Sequence, residues 1–343
     1  MSDSRQLPAG KLPGALLQRL LATYVKSDPS VLVGPEIGAD AAAIEIDSSI
    51  IIVKSDPITF PTPDISSYLV NVNANDVACM GGKPRWMLVT ALQPVDETTE
   101  SGVEHQFRQL SAACEKLGIS LVGGHSEITD SVNRPIMIGM LVGEASRDTL
   151  LDLRRSKPGD SLLLCNSVAI EGSAILASEA PAKLLSSVPD AILERARGLT
   201  DDPGISVVPA ARILSESGLA VRGMHDPTEG GIATAIWEVA KVTNCDVDLD
   251  QPIPIRDETQ AICKALDLDP LGLIASGALL VVIDSDDADS AAKILEDAGI
   301  QAVRIGTLSA AAGVEPAVTQ ADGKLLPTFS TDEIARFFSA LSS

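Results

Sequence analysis

The sequence predicts a mixed α/β (α+β) protein of two domains, and three observations carry that expectation. Its 343 residues are more than a single ordinary core of about 100–200 residues organises. Apolar runs of strand type and of helix type are mixed in both halves, the pattern of sheets layered with helices. Between the halves, Lys157-Pro158-Gly159-Asp160 is a cluster of turn formers. It sets the boundary just before it, giving an N-terminal domain 1–155 and a C-terminal domain 156–343.

The elements follow in order. Residues 12–26 read as a leading helix. Two short runs, 41–46 and 50–54, read as strands, the second running into the turn signal Ser55-Asp56-Pro57. A helix over 65–80 is closed by Gly81-Gly82, and 86–92 is a strand. Residues 103–117 put Val103, Phe107, Leu110, Cys114 and Leu117 on one helical face. A strand over 119–122 stops at Gly123-Gly124, and 135–142 is a longer buried one. In the second half, 162–165 is a strand, 174–179 and 207–217 are helices, and a further strand reaches Met224. Residues 229–244 form a helix with Ile232, Ile236, Val239 and Thr243 on one stripe. Helix, strand, helix and strand then occupy 257–266, 278–283, 288–298 and 303–308. An amphipathic helix closes the chain over 331–341.

Charge narrows the function. Against 26 Lys and Arg stand 47 Asp and Glu, a formal net charge of −21. A phosphate backbone is bound chiefly by Lys and Arg, so nucleic acid is not an expected partner. Aromatic residues, at 3%, also leave few platforms for stacked bases. An acidic chain can still bind ATP or a diphosphate if a divalent cation sits between the like charges. No run approaches the roughly 18 apolar residues of a membrane span. Met1 to Gly10 lacks the basic and apolar regions of a secretion signal, so a cytoplasmic location is expected. Cys79, Cys114, Cys165, Cys245 and Cys263 are scattered and never spaced Cys-x-x-Cys. They read as reduced, buried thiols, and with only three histidines the chain offers no transition-metal motif. His105 lies in an ordinary helix.

Most acids, including Asp246, Asp248, Asp250, Asp284, Asp286, Asp287 and Asp289, read as solvated loop and helix-end charges. A few lie in apolar or glycine-rich surroundings. Ile65, Leu69, Val72, Asp76 and Cys79 step by 4, 3, 4 and 3 residues, which turns Asp76 toward the core. A buried carboxylate without a partner must neutralise or acquire a cation; a satisfied salt bridge is the plain alternative. Asn71, Asn73 and Asn75 are poor helix formers and favour a polar site there. Asp40 ends the glycine-containing segment Val33-Gly34-Pro35-Glu36-Ile37-Gly38-Ala39-Asp40, where backbone amides can approach a ligand. Asp56 follows a strand end, where ligand groups of α/β domains often lie. Lys54 would share its strand face but reads as a solvated edge residue. Gly123-Gly124-His125-Ser126-Glu127 fits either a backbone cradle or a hairpin turn. His225-Asp226-Pro227-Thr228-Glu229-Gly230-Gly231 leads into a helix; Asp226 or Thr228 would cap it, or Asp226 would hold a metal facing an anion. No P-loop, dinucleotide fingerprint or nucleophile elbow occurs.

Four segments together resemble the PurM-like ATP-binding superfamily, which includes aminoimidazole ribonucleotide (AIR) synthetase, the hydrogenase maturation protein HypE, selenophosphate synthetase and thiamine-monophosphate kinase. They are Gly34-Pro35-Glu36-Ile37-Gly38-Ala39-Asp40-Ala41-Ala42, Lys54-Ser55-Asp56-Pro57, Val72-Asn73-Ala74-Asn75-Asp76-Val77-Ala78-Cys79-Met80-Gly81-Gly82-Lys83-Pro84, and the His225 to Gly231 segment. They occur in family order, and the chain is most similar to HypE-like, AIR-synthase-related proteins. The resemblance implies an N-terminal domain that forms a barrel with a second subunit, a homodimer, a C-terminal α/β domain, and ATP in a cleft beside the interface. It implies Mg²⁺ on Asp40, Asp76 and Asp226, and nucleotide contacts from Gly38, Asp56, Asn75, Gly123, Gly124 and His125.

The departures concern the acceptor. HypE acts on its own C-terminal cysteine, whereas this sequence ends Ala340-Leu341-Ser342-Ser343 and its last cysteine is Cys263. Selenophosphate synthetase uses a Cys or selenocysteine with a Lys near the N-terminus; here Lys11 and Lys26 stand without one. HypE commonly has Arg at the position of Glu229. The expectation is therefore a Mg-dependent enzyme that uses ATP to activate or phosphorylate a small-molecule or protein acceptor not identified by the sequence. The alternatives are a non-catalytic nucleotide-binding maturation or regulatory protein and a purine-pathway cyclo-ligase. His125, His225 and Glu127 are the candidate general bases.

Overall fold

The computed structural model describes residues 14–25, 28–35, 39–59 and 64–341. Gly38, Lys11 and Lys26 lie outside them. The first half contains α1 (Gly14–Tyr24), β1 (Val31–Val33), β2 (Ala42–Ile46), β3 (Ser49–Ile58), α2 (Ile65–Cys79), β4 (Lys83–Pro94), α3 (Glu100–Leu117), β5 (Ser120–Thr129) and β6 (Ile136–Ala145). Its strands form one sheet in the order β1-β2-β3-β6-β4-β5. Neighbours are antiparallel except β4 and β5, which α3 connects as a parallel pair.

Alternation along β3 buries Ile50, Ile52 and Ile58, and the same period places Lys54 and Asp56 on their face, toward α2. Asp64 caps α2 by accepting a hydrogen bond from the Ser67 amide (3.0 Å). This helix is buried on nearly every side, because the sheet, α3 and the second half all pack on it. The opposite face of the sheet carries Ile51, Val53, Leu88, Ile138, Met140 and Val142, half-buried or exposed, with no helix over it among the described residues.

The second half contains β7 (Ser161–Cys165), α4 (Ile170–Glu179), α5 (Asp190–Arg197), α6 (Val208–Glu216), β8 (Val221–His225), α7 (Gly231–Thr243), β9 (Cys245–Leu249), α8 (Asp257–Leu266), β10 (Leu279–Ile283), α9 (Ala288–Asp297), β11 (Ala302–Ala310), β12 (Val318–Thr319) and α10 (Glu333–Leu341). The sheet order is β12-β9-β11-β7-β10-β8. β7 and β10 are buried at every position. Leu162, Leu164, Leu280 and Val282 pack toward α7, whereas Leu163, Cys165, Val281 and Ile283 pack toward α6 and α9. Coverage on both faces explains their unbroken apolar runs. A separate core of Leu176, Leu193, Ile262 and Phe337 joins α4, α5, α8 and α10.

Several sequence expectations change. β3 does not turn at Ser55-Asp56-Pro57 but continues, with Asp56 opposite Gly139 and Pro57 opposite Ile138. β5 does not stop at its glycines; a bulge at Val122 lets it run on to Thr129. Gly124, at φ 145°, approaches β4 so closely that a Cβ would lie 1.9 Å from the Val89 carbonyl oxygen. The helix expected from residue 229 starts at Gly231, because Gly230 and Gly231 take left-handed φ values of 84° and 66°. β1, α5, β9 and β12 have no counterpart in the sequence reading. On β9, Asp246 accepts hydrogen bonds from the Ala312 and Ala317 amides, and Asp248 from the Ser309 and Thr319 hydroxyls. These acids, read as solvated, anchor the sheet's rim. Asp284 pairs with Arg222 at 2.5 Å. All five cysteines are free and buried. Among the described residues no helix is long and apolar enough to cross a membrane.

The halves share a seam. Asn75, completely buried, donates to the Ile205 carbonyl (2.8 Å) and accepts from the Val207 amide (2.9 Å). Ile170, Leu199 and Ile205 complete the first half's core.

Candidate metal centre

At this seam, three segments of the first half and three of the second converge on one acidic cluster. Asp40 arrives just before β2, Lys54 and Asp56 come from β3, and Asp76 and Cys79 from α2. His225 ends β8, Asp226 begins the loop after it, and Glu238 lies on α7. Asp40, Asp76, His225 and Asp226 are all buried, at 9%, 5%, 7% and 3% relative exposure. One donor atom each from Asp40, His225 and Asp226 falls within 4.8 Å of the others.

The ion pairs divide the cluster into two sides. Lys54 Nζ lies 3.2 Å from Asp56 Oδ2 and 3.1 Å from Asp76 Oδ2. His225 Nδ1 lies 2.6 Å from Asp40 Oδ1, and its Nε2 lies 3.0 Å from Glu238 Oε2. An imidazole that faces carboxylate oxygens through both nitrogens is in a setting that favours its charged form. Burial disfavours that charge, but Asp40 and then Glu238 outweigh it and raise the His225 pKa well above the ordinary range. His225 is thus set as a counter-charge for Asp40, with both ring nitrogens already engaged by carboxylates.

Asp76 is pushed well above the usual carboxylate range, chiefly by burial and then by the Asp226 charge, against the opposing pull of Lys54. Asp226 rises to about 7, again through burial first and the Asp40 charge second. Cys79 donates a weak bond to Asp226 Oδ1 (3.7 Å), while Asp226 Oδ2 is buried with no hydrogen bond. Asp76 Oδ2 also lacks a directional hydrogen bond and has the Lys54 ion pair. Buried, under-satisfied carboxylate oxygens with raised proton affinity are what a hard oxygen-seeking cation would replace a proton on. The residues therefore fit a Mg²⁺-type ion held by Asp40, Asp76 and Asp226.

Sequence reasoning selected Asp40, Asp56, Asp76 and Asp226, and the fold brings these four together. Lys54 is a correction: it sits on an interior strand of the sheet, between two of the acids. Parity with Ile50 and Ile52 was the signal for its burial. Asn75 is committed on both sides of its amide to the Ile205 and Val207 backbone, which makes it a clamp between the halves. Gly123, Gly124 and His125 lie on the exposed outer strand β5. Gly124 is opposite Val89, which is opposite Gly139, which is opposite Asp56. Three strand spacings thus separate them from the cluster, about 14 Å. His125 and Glu127 pair with each other there at 3.2 Å. A residue the sequence reading treated only as a poor helix former is Asn73. Its Oδ1 accepts from the Asp56 amide (3.0 Å) and its Nδ2 donates to the Leu69 carbonyl (2.9 Å). It fixes the backbone that aims Asp56.

Comparison with known proteins identifies the family and the fold. Family models for AIR synthase related protein match residues 38–145 with the N-terminal domain and 157–319 with the C-terminal domain. The hydrogenase expression/formation protein HupE of Azotobacter chroococcum is 24% identical over 311 residues, 88% of this chain and 86% of that protein. Carbamoyl dehydratase HypE of Cupriavidus necator is 27% identical over 257 residues, covering 73% and 69%. Among solved structures, HypE in complex with ATP superposes with a TM-score of 0.69 at 21% identity, covering 92% of this chain and 95% of that one. The protein AaThiL complexed with AMPPCP and TMP also gives 0.69, at 17% identity, covering 92% and 94%. The fold is thus the two-domain PurM-like one.

Proposed function

Since the chain belongs to the AIR synthase related family, we propose that it binds ATP through Mg²⁺ and uses it to activate or phosphorylate an acceptor. The observation that carries this reading is the meeting of Asp40 and Asp226, from the two halves, in one buried group, with Asp76 close enough to feel both charges and with under-satisfied oxygens on Asp76 and Asp226. The ATP and AMPPCP complexes of fold relatives support it.

The cation would neutralise the triphosphate and make its terminal phosphorus a better electrophile. The chain's own residues supply position and charge. Asp40, Asp76 and Asp226 hold the cation, His225 balances Asp40, and Asn73 fixes Asp56 at the edge of the site. Burial lowers the effective dielectric, so each of these charges acts more strongly than in water. His125 and Glu127, paired on the outer strand, and His225, engaged by Asp40 and Glu238 through both nitrogens, are not placed to take a proton from an acceptor at the cluster. The reading draws on no general base, as befits a phosphoryl transfer that works by positioning and charge. It draws on neither Asn75 nor the Gly123-Gly124-His125 segment.

A homodimer belongs to the same reading. The open sheet face with Leu88 and Met140 is an apolar surface of the kind a second copy would cover, and light scattering tests it.

Isothermal titration of the pure protein with MgATP tests the function. Binding is expected for the native chain, and a loss of at least about tenfold in Asp226→Asn, which removes a cation ligand of almost unchanged shape. ADP release with an acceptor would identify the reaction. Absence of MgATP binding by the native, folded protein would overturn the reading.

A further inference from the structure

We propose that Glu171 and Glu229 form an anchoring subsite for a primary ammonium group of the acceptor, one loop away from the metal centre. The inference rests on the reading of the chain as an ATP-using enzyme and names the class of molecule it would act on.

One short loop joins the two places. Asp226 stands at the metal centre, and Glu229 and Gly230 follow it just before α7. Glu229 is three positions on from Asp226, so their Cα atoms are no more than about 11 Å apart. Thr228, between them, accepts a hydrogen bond from the Ala275 amide (3.4 Å), and the next residue, Ser276, hydrogen-bonds Glu171. Glu171 lies in the first turn of α4 at 1% exposure. Its Oε2 is buried with no hydrogen-bond partner.

The charge balance there calls for a cation. Asp332 and Glu229 face Glu171, as does the Tyr68 hydroxyl of α2, which burial keeps protonated. Asp332 is buried and spends its oxygens on the Gly230 and Ile334 amides (2.7 and 2.8 Å), so it contributes charge alone. Glu229 is exposed and open to an incoming ligand. Among the described residues no Lys or Arg pairs with any of these three acids.

A buried carboxylate without a partner is costly unless it is neutralised, which leaves a proton or a cation. The three acids are too far apart to share a metal ion: among the described residues only Asp40, His225 and Asp226 bring three such donor atoms within 4.8 Å. A guanidinium binds best across both oxygens of a carboxylate, and Ser276 already engages Glu171. A compact ammonium needs one strong acceptor, which Oε2 supplies, and the neighbouring charges of Glu229 and Asp332 draw it in. A protonated nitrogen has no lone pair with which to attack phosphorus. It is a handle, holding the acceptor while another of its groups faces the cluster.

The test titrates the full chain with n-butylamine, followed by ligand-observed NMR, with and without a magnesium complex of a non-hydrolysable ATP analogue. The controls are n-butanol, which is neutral, and n-butylguanidine, which is planar. At pH 8 butylamine should bind in the millimolar range, at least about tenfold tighter than either control. Nα-acetyl-lysine methylamide carries the same ammonium on a peptide backbone. Its preference over butylamine would assign the handle to a protein lysine, and the reverse to a free amine.

The amine stays charged from pH 5 to 8, so its affinity follows the site. Burial first, then Asp332 and Glu229, raise Glu171 to about 7, and burial raises Asp332 to about 6. Both acids ionise over this range, and affinity should rise at least about tenfold across it. Glu171→Gln should weaken butylamine at least about tenfold at pH 8 and remove most of the pH dependence. Glu229→Gln, on the surface, should weaken it about two- to fivefold.

Equal binding of butylamine and butanol, or a butylamine affinity indifferent to pH and to Glu171→Gln, overturns the proposal. If Glu171→Gln does not fold, the native pH profile and Glu229→Gln decide, and a flat profile with an unchanged affinity refutes it. Should butylamine bind and MgATP not, the functional reading fails while the ammonium site stands. Should MgATP bind and butylamine not, only this inference fails.

Discussion

Replacing Asn75 by Ala should destabilise the ligand-free protein by about 2–5 kcal/mol. The side chain is fully buried on α2 and spends its amide on two backbone groups 130 and 132 residues away, donating to Ile205 and accepting from Val207. Alanine leaves one carbonyl and one N–H orphaned in the seam. Each buried, unsatisfied group costs about 1–3 kcal/mol, and the lower end applies if a water enters the space. The consequence is local as well as global, because α2 also carries Asp76, and the second half supplies Asp226. Equilibrium urea unfolding gives the stability change, and hydrogen exchange at the Val207 amide reads the broken bond directly. Asn75→Asp separates the two bonds: it keeps the acceptor for Val207 but turns an acidic oxygen toward the Ile205 carbonyl, and it should destabilise at least as much as Ala. A nucleotide-contact role predicts the opposite pattern, with unchanged ligand-free stability and weaker ATP binding alone. A change below about 1 kcal/mol with undiminished Val207 protection would refute the clamp.

Two further substitutions probe the same region. Glu171, at 1% exposure, is held near pKa 7 in place of 4.5, first by burial and then by the Asp332 and Glu229 charges, against hydrogen bonds from Ser276. The folded state therefore binds the proton more tightly than the unfolded one, so this group's contribution is intact below about pH 4.5 and is lost as pH rises through 7. Glu171→Gln, which does not titrate, should match the native chain at pH 4 and exceed it by about 1–3 kcal/mol at pH 8, read as denaturant midpoints; a pH-independent difference would count against it. At Gly139, a Cβ would meet Asn73 Nδ2 at 2.7 Å and Met87 Cε at 2.6 Å. The methionine can yield, but the Asn73 amide is bound on both sides. Gly139→Ala should cost about 1–3 kcal/mol and weaken MgATP binding through a displaced Asp56; unchanged binding and melting would show that Asn73 does not position it.

What local patterns could say about this protein they said well. The 4-3-4-3 spacing of Ile65, Leu69, Val72, Asp76 and Cys79 turned an acid inward, and Asp76 is buried. The scattered cysteines proved to be buried thiols. Periodicity placed the long helices and the central strands, because one-sided or two-sided burial writes itself into residue order over a few turns. Short rim elements such as β9 and β12 were missed, since two to five residues hold too few periods to signal anything. Punctuation misled where tertiary contacts overrode it. Pro57 stays in β3, and Gly123-Gly124 stay in β5 because a bulge and a close approach to Val89 make glycine serve the strand.

The sequence by itself set the expectation for the chemistry. A net charge of −21, with few aromatics, no cysteine pairs and four carboxylates in apolar or glycine-rich settings, pointed to a hard cation and away from nucleic acid. Only the tertiary structure decided which charges meet. Lys54 and Asp76 are 22 positions apart and His225 and Asp40 are 185, so no local period relates them; their pairing depends on how α2 seats between the sheet and the second half. The same packing sent Asn75, the sequence neighbour of Asp76, to a domain seam and put His125 on an outer strand. Local order dictates which face a side chain takes. Contact between distant faces is set by the packing of whole elements, and a charge acquires its function only there.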